Sequence, residues 1–262
     1  MRKITYQKII SGILLSLFFI FSFQSQAVSL STYRIYLGPD SRTASFIMYN
    51  KTADAEKCSL SLAHNNFDKN GKMTIIDNSI VPANSAKPWI RYSPKNFTVA
   101  GLEPQSVRFV LRRKANSEPN EYRSYLRIDC NKVEQKIKSS IGNGENANLT
   151  IRPKLVQQIP IIARTGKLEA KVSFGHLVLS GTTLKFDLQR EGTRSIYGKI
   201  ELINNKTGKM ITFKKNVSVY LETDKVRMKF NTQGIDSKNL SLRYTENKTY
   251  GGSLVYEQAV IL

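Results

Sequence analysis

Short segments that alternate apolar with polar residues, separated by turn residues about every ten positions, constrain this chain most. Alternation with a period of two places the apolar side chains on one face of a strand, and no segment keeps the 3.6-residue period of a helix. The pattern is typical of antiparallel β-sandwiches. The clearest predicted strands span residues 45–49, 59–63, 106–111, 122–129, 168–174, 183–188, 199–203, 209–213, 217–221 and 226–230.

The amino-terminal segment, residues 1–27, has the three-part plan of a secretory signal peptide. A basic start precedes an apolar run over residues 9–23, and the small residue Ala27 ends the segment. The run is short for a bilayer crossing, which needs roughly 20 apolar residues. We therefore expect cleavage after Ala27, a periplasmic location and no stable membrane insertion. The alternative is an uncleaved membrane anchor.

The remaining chain, residues 28–262, is long enough for two domains of about a hundred residues each. A polar stretch rich in Gly and Asn, residues 139–148, predicts an exposed loop, and the strand pattern that follows it breaks at residues 163–166. We therefore expect a signal peptide at 1–27, an amino-terminal domain at 28–164 and a carboxyl-terminal domain at 165–262.

The chain is strongly basic, with a formal net charge of +20 that falls to +17 when the three cations of the signal are removed. Nucleic acid is nevertheless not the expected partner, because the export signal removes the chain from the cytoplasm. The cations are also spread along the chain, without a zinc or helix-turn-helix signature. Steering towards acidic proteins or an anionic membrane surface fits the charge better.

The two cysteines, Cys58 and Cys130, do not form a Cys-x-x-Cys pair and have no plausible metal ligands around them. Counting the predicted strands places Cys58 at the start of the third and Cys130 at the end of the sixth. These strands are antiparallel neighbours in an immunoglobulin-like sheet. An oxidising compartment favours a disulfide between them, and two buried free thiols are the alternative.

Catalysis is not expected. The two histidines, His64 and His176, lie in different predicted domains, and neither has nucleophile or metal-ligand spacing around it. Serine-hydrolase, metalloprotease, dinucleotide and phosphate-loop motifs are absent. We predict a binding protein without a metal or another cofactor.

Four segments resemble, in order, the landmarks of the PapD-like periplasmic chaperones that serve chaperone–usher pili. The third is similar to the YRSHLRF stretch and the fourth to the IPVIVR stretch of the archaic or alternative branch. The segments are Ala-Val-Ser-Leu-Ser-Thr-Tyr-Arg at 27–34, Tyr-Ser-Pro with Gly-Leu-Glu-Pro and a strand at 92–112, Glu-Tyr-Arg-Ser-Tyr-Leu-Arg-Ile at 121–128, and Ile-Pro-Ile-Ile-Ala-Arg at 159–164.

The resemblance implies an all-β protein of two immunoglobulin-like β-sandwich domains in a boomerang arrangement. It also implies a function, namely the capture of pilus or fimbrial subunits that lack their final strand and their delivery to an outer-membrane usher. A strand donated by the chaperone would cover the subunit's apolar groove. The expected donor side chains are Leu149, Ile151 and Leu155. The alternative is that these residues face the protein's own core.

Arg34 matches the arginine of the family's first strand, which implies that it binds the terminal carboxylate of the subunit. The family's second anchor, a lysine near the domain junction, is missing from residues 157–160. Arg123 is the expected substitute, with Arg127 and Lys154 as further possibilities. The alternative for each is a solvated surface charge.

Two other functions remain open. The chain is alternatively a secreted two-domain immunoglobulin-like binding or adhesion module for anionic surfaces, for which the net charge supplies the attraction. It is less well explained as a pilus subunit, because subunits are usually single domains. Self-association of the free chaperone through an exposed strand edge is a further possibility.

Overall fold

The computed structural model describes residues 28–68, 72–77, 79–112, 117–132, 156–235 and 239–261. Over these residues the protein is built from strands, and its helical structure consists of short 3-10 turns such as Lys87–Trp89 and Lys248–Tyr250. No helix among them is long and apolar enough to cross a membrane. The all-β class expected from the alternating pattern is confirmed.

The first β-sandwich packs two sheets against each other, with the strand orders β1-β3-β9-β7 and β2-β11-β10-β4-β8. A separate hairpin, β5-β6, follows β4. Pairing is antiparallel except between β2 and β11, which run parallel. The strands are β1 (Ser29–Leu30), β2 (Ile35–Leu37), β3 (Thr43–Tyr49), β4 (Glu56–Ala63), β5 (Asn65–Phe67), β6 (Met73–Ile75), β7 (Ile90–Ser93), β8 (Asn96–Val99), β9 (Pro104–Leu111), β10 (Asn120–Lys132) and β11 (Val156–Thr165).

The second β-sandwich packs a sheet of order β12-β13-β16 against one of order β15-β14-β17-β18. Its core is separate from that of the first sandwich and contains Phe186, Leu188, Leu202 and Tyr244. The strands are β12 (Ala170–Ser180), β13 (Thr183–Gly192), β14 (Ile196–Asn204), β15 (Met210–Val219), β16 (Lys225–Asn231), β17 (Leu240–Glu246) and β18 (Val255–Ala259).

One predicted strand division is wrong. Residues 209–213 and 217–221 were expected as two strands, but β15 runs continuously over Met210–Val219. The polar residues between them interrupt the alternation, which suggested a break. The ladder between β14 and β15 instead shifts register there, and Asn216 takes a positive φ of 60°. A bulge of this kind inserts residues without ending the strand.

The disulfide between Cys58 and Cys130 is present. β4 and β10 are antiparallel neighbours, and the two cysteines are directly opposite each other in the register. The pairing expected from counting strands is therefore confirmed. The disulfide closes a loop of sequence separation 72, which restricts the unfolded chain and stabilises the first sandwich.

Candidate functional site

Three neighbouring strands of the first sandwich, β2, β11 and β10, present every second side chain to the second sandwich. Period-two alternation sends Ile35, Ile161 and Leu126 into the first core. The residues between the core positions, among them Tyr36 and Arg123, therefore point away from that core. Polar side chains at these positions meet polar groups from the second sandwich, which produces a charged and aromatic contact region.

Arg34 lies in this region, immediately before β2, and only 4% of its surface is exposed. Its Nη2 donates hydrogen bonds to the hydroxyls of Ser218 at 2.8 Å and Tyr220 at 3.1 Å. The guanidinium carbon lies 4.2 Å from the ring centroid of Tyr197, a cation–π distance. Nε of Arg34 is buried without a hydrogen-bond partner. No carboxylate of the described residues forms an ion pair with Arg34.

Arg123, on β10, is buried in the same region but is fully paired. Its two terminal nitrogens donate to the two carboxylate oxygens of Glu222 at 2.8 and 2.7 Å. The side-chain amide of Asn84 donates to the same carboxylate at 3.1 Å. Glu222 belongs to the turn between β15 and β16, so this ion pair joins the two sandwiches.

Tyrosines connect the two arginines. The guanidinium carbons of Arg34 and Arg123 lie 5.5 and 4.2 Å from the ring centroid of Tyr220. The hydroxyl of Tyr125 is buried without a hydrogen-bond partner. Burial, with the nearby Tyr220 and Glu222, raises the pKa of Tyr125 against the opposing effect of Arg123 and Arg34. The Tyr125 hydroxyl therefore stays protonated and is able to donate.

A second ionic group joins the sandwiches beside this site. Nε of Arg164, on β11, donates to the carboxylate of Glu121 at 2.8 Å, and both side chains are buried. The terminal nitrogens of Arg164 donate to the backbone carbonyls of Gly251 and Ser195, each at 2.9 Å. Glu121 also accepts the backbone N–H of Ser195. Every charged group in this cluster is compensated.

The second sandwich supports the cluster from its own side. Arg194 donates two hydrogen bonds to Glu246, whose carboxylate also accepts the backbone N–H groups of Ser253 and Leu254. Gly251 follows with a φ of +71°, and a Cβ added there would collide with the ring of Tyr36. Both the backbone conformation and the close contact between the sandwiches therefore favour glycine at this position.

The predicted site residues fall into three groups. Arg34 and Arg123 lie together at the contact between the sandwiches. Arg127 lies elsewhere: its guanidinium is partly exposed and lies 3.7 Å from Asp129. Three sets of predicted residues lie outside the described residues. They are Lys154, the signal cleavage site after Ala27, and the donor residues Leu149, Ile151 and Leu155.

Ile159 and Ile161, on β11, continue in the sequence the alternation of the predicted donor residues. Both side chains are buried in the core of the first sandwich. This face of β11 therefore serves the protein's own core over the described half of the predicted strand. Strand donation by the residues before Val156 stays a prediction.

Sequence reasoning missed Glu222, Tyr220 and Tyr125 as site residues. Glu121 and Arg164 lay within the segments that carry the family resemblance, so a signal for them existed. Glu222 had none, because a single acid in a turn is common and its partner Arg123 is 99 residues away.

One cluster in the described ranges has the composition of a metal site, namely Glu56, Cys58 and Cys130. Both cysteines are joined in the disulfide, so neither offers a thiolate to a metal ion. Glu56 alone is no metal site. The chemistry available at the arginine site is the binding of an anion, through guanidinium and hydroxyl donors.

No family model matches the chain, and no curated protein matches it. Solved structures similar to it include the Salmonella enterica SafB chaperone complexed with SafA pilin (14% identity, 91% of this chain and 98% of that chain, TM-score 0.48). The E. coli chaperone DraB has 14% identity over 90% of this chain and 97% of its own, with a TM-score of 0.44. The Pseudomonas aeruginosa CupB2 chaperone has 13% identity over 88% and 100%, with a TM-score of 0.41.

These three structures are PapD-like fimbrial chaperones with two immunoglobulin-like domains. At TM-scores of 0.41–0.48 and identities of 13–14%, no function follows from these likenesses. Membership of the archaic branch stays a prediction. The chain is similar in fold, over most of its length, to PapD-like fimbrial chaperones.

Proposed function

We propose that this chain is a periplasmic chaperone that captures pilus subunits by donating a β-strand, and that Arg34 binds the terminal carboxylate of the subunit. The observation that carries the proposal is the state of Arg34. It is buried, it has no counterion among the described residues, and its Nε lacks a partner. A buried charge is costly unless it is paired, so Arg34 is prepared for an anion that arrives with a ligand.

The surroundings of Arg34 favour a carboxylate as that anion. A planar guanidinium matches a carboxylate with two parallel hydrogen bonds. The unpaired Tyr125 hydroxyl offers a further donor close to both arginines. Tyr197 and Tyr220 stack on the guanidinium of Arg34, which limits its access to water and strengthens its interaction with an anion.

Strand donation is supported by the edge that β11 offers. β10 pairs with β11 from Val156 to Thr165, whereas β2 pairs with the other side only at residues 161–163. Among the described strands, none covers that side of residues 156–160. An uncovered edge can pair with a strand from another protein. The donor residues directly precede this edge in sequence, and delivery to an outer-membrane usher would follow capture.

The free edge of β11 is also the place where two copies of the free chaperone would pair if they self-associate. We place the division between the two domains at residues 164 and 165, where β11 ends. Export to the periplasm with cleavage after Ala27 belongs to the same proposal.

The test is co-expression in a bacterial periplasm with the pilus subunits encoded beside this gene, followed by pull-down on a tag at the carboxyl terminus. The wild-type chain should recover a subunit in a one-to-one complex. Arg34→Ala should recover at most a few per cent of that amount, because losing a charge-assisted bidentate contact costs about 3 kcal/mol or more. Arg91→Ala is the matched control, since it removes the same charge from an exposed position on β7.

Two results would count against the proposal. One is equal recovery of subunit by Arg34→Ala and Arg91→Ala, which would remove Arg34 from the binding site. The other is failure of the wild-type chain to recover any subunit. Leu155→Asp tests strand donation separately: capture should be lost while the purified variant remains folded.

The second candidate is a secreted two-domain binding module for anionic surfaces, which the net charge of +17 without the signal favours. This function would not depend on Arg34, because steering by net charge is spread over many exposed cations. Binding to vesicles that contain anionic lipid, equal for wild type and Arg34→Ala and abolished by high salt, would favour it.

A further inference from the structure

The ion pair between Arg123 and Glu222 has the geometry of a ligand complex formed within the chain. Both terminal nitrogens of Arg123 donate to the two oxygens of one carboxylate, at 2.7 and 2.8 Å. The amide of Asn84 adds a third donor. The carboxylate comes from the second sandwich and the three donors come from the first. This is the arrangement that a bound terminal carboxylate would adopt.

Glu222 differs from the structural carboxylates of the same interface in how it is held. Glu121 is 3% exposed at its side chain, whereas Glu222 is 22% exposed. Glu121 accepts a backbone N–H, but within the described ranges Glu222 is bound only by side chains. β15 ends at Val219 and β16 begins at Lys225, so Glu222 lies in a turn outside both ladders. It can leave without breaking a strand pairing.

The departure of Glu222 alone would be unfavourable, because it would leave Arg123 buried and unpaired. Exchange for another carboxylate avoids this cost, since each guanidinium N–H then regains an equivalent acceptor. Arg34 shares the Tyr220 ring with Arg123 and has no counterion among the described residues. A carboxylate that binds Arg34 therefore has Arg123 and the Tyr125 hydroxyl nearby.

From these contacts we infer that Glu222 is an intramolecular competitor that occupies the Arg123 half of the carboxylate site until a subunit displaces it. The inference rests on the proposed function. It assigns Arg34 and Arg123 different states in the free protein: Arg34 has no counterion among the described residues, and Arg123 is paired with Glu222. Only molecules in which Glu222 has left Arg123 can bind the ligand fully. The apparent affinity is therefore the intrinsic affinity multiplied by the fraction of such molecules.

The experiment uses a synthetic peptide that copies the carboxyl-terminal strand of the subunit recovered by the wild-type chain, with a free carboxylate or an amide at its end. Glu222→Gln should bind the carboxylate peptide about 5- to 150-fold more tightly than wild type, the usual range for coupling of this kind. The amide peptide should bind wild type and Glu222→Gln equally, because it does not compete for Arg123. Calorimetry measures both.

Two further variants separate competition from a general change. Asp224→Asn removes one charge from the same turn, but Asp224 is exposed and does not contact Arg123, so its affinity for the peptide should equal that of wild type. Glu222→Ala removes the competing carboxylate by truncation and leaves Arg123 and Asn84 in place as donors. It should also tighten binding of the carboxylate peptide, which keeps the test valid if Glu222→Gln folds poorly.

The results distinguish this inference from the proposed function. Tighter binding by Glu222→Gln, confined to the carboxylate peptide, supports the inference. Equal or weaker binding by Glu222→Gln and Glu222→Ala, with capture by wild type and its loss in Arg34→Ala, overturns the inference and leaves the chaperone function intact. If the wild-type chain captures no subunit, the proposed function fails and the inference fails with it.

Discussion

Arg164 and Arg34 are both buried between the two sandwiches, yet their surroundings are opposite. Arg164 has a counterion, Glu121, and two backbone carbonyls, so its donors are compensated. Arg34 has two neutral hydroxyls and an unpaired Nε. Burial alone therefore does not separate a structural charge from a binding charge. The presence or absence of a counterion does separate them, because burying a cation without an anion lowers the stability of the folded protein.

The physical consequence is that these two arginines should respond differently to mutation. Removing one partner of a buried ion pair leaves the other charge exposed to a low dielectric, which is strongly destabilising. Removing a buried charge that has no partner removes a cost as well as a few hydrogen bonds. The tests below follow from this contrast.

The largest effect is expected for Glu121→Ala. The substitution leaves the guanidinium of Arg164 without its counterion and the backbone N–H of Ser195 without an acceptor. The free energy of unfolding should therefore fall by about 3–5 kcal/mol. Arg34→Met is the matched variant and should lower it by less than about 1 kcal/mol, because no charge is left unpaired. Urea unfolding measures both. Similar losses for the two variants would break the comparison.

Gly251→Ala should lower the free energy of unfolding by about 1–3 kcal/mol. The position has a positive φ, and the added Cβ would collide with Tyr36 of the first sandwich. Gly208→Ala is the control: its φ is also positive, at +67°, but open space surrounds it. The difference between the two losses reports the contact between the sandwiches. Equal losses would mean that this contact contributes little.

Acidification should lower the free energy of unfolding through protonation of His64. His64 is buried with Nδ1 3.5 Å from the Ser124 hydroxyl, next to Arg123 in sequence. Burial, assisted by Lys87, lowers the pKa of His64. The unfolded chain then binds the proton more readily, so stability is present above pH 6.5 and is lost as the pH falls below it.

The measurement is urea unfolding at pH 7.5 and pH 5.5 for wild type and His64→Gln. Wild type should lose more stability between these values than the variant, because the variant has no imidazole to protonate. Identical losses would show that His64 does not contribute to the pH dependence.

The smallest change in stability is expected for Tyr125→Phe. Its hydroxyl is buried and unpaired, so removing it should alter the free energy of unfolding by less than about 1 kcal/mol. Subunit capture should nevertheless fall, since a donor to the carboxylate is lost. Tyr92→Phe is the control, because it removes a partly buried hydroxyl of the first sandwich that donates to the backbone carbonyl of Leu60. Reduced capture by both variants would contradict a specific function for Tyr125.

The fold was predictable because its signal is local. In strands such as Lys225–Asn231, consecutive residues alternate between apolar and polar, and a period of two leaves few alternatives to a strand. The disulfide followed from the strand count, because the start of a strand lies beside the end of its antiparallel neighbour. The division of β15 failed because bulges are set by pairing with β14, which the local pattern does not contain.

The candidate site was predictable only in part. Arg34 and Arg123 came from the family resemblance, and they lie together as one site requires. The sequence does not distinguish them from other basic residues such as Arg127, which is partly exposed beside Asp129. Burial and compensation depend on which side chains the second sandwich presents.

The sequence by itself determined the strand pattern, the two sandwiches and the cysteine pair, because these depend on the order of apolar and polar residues along the chain. The tertiary structure alone decided that Arg164 has a counterion, that Arg34 has none among the described residues, and that Glu222 is paired with Arg123. These properties depend on electrostatic contacts between residues as far as 99 positions apart. The energy of a buried charge is set by the groups within a few ångströms of it, and only the packing of two sandwiches brings those groups together.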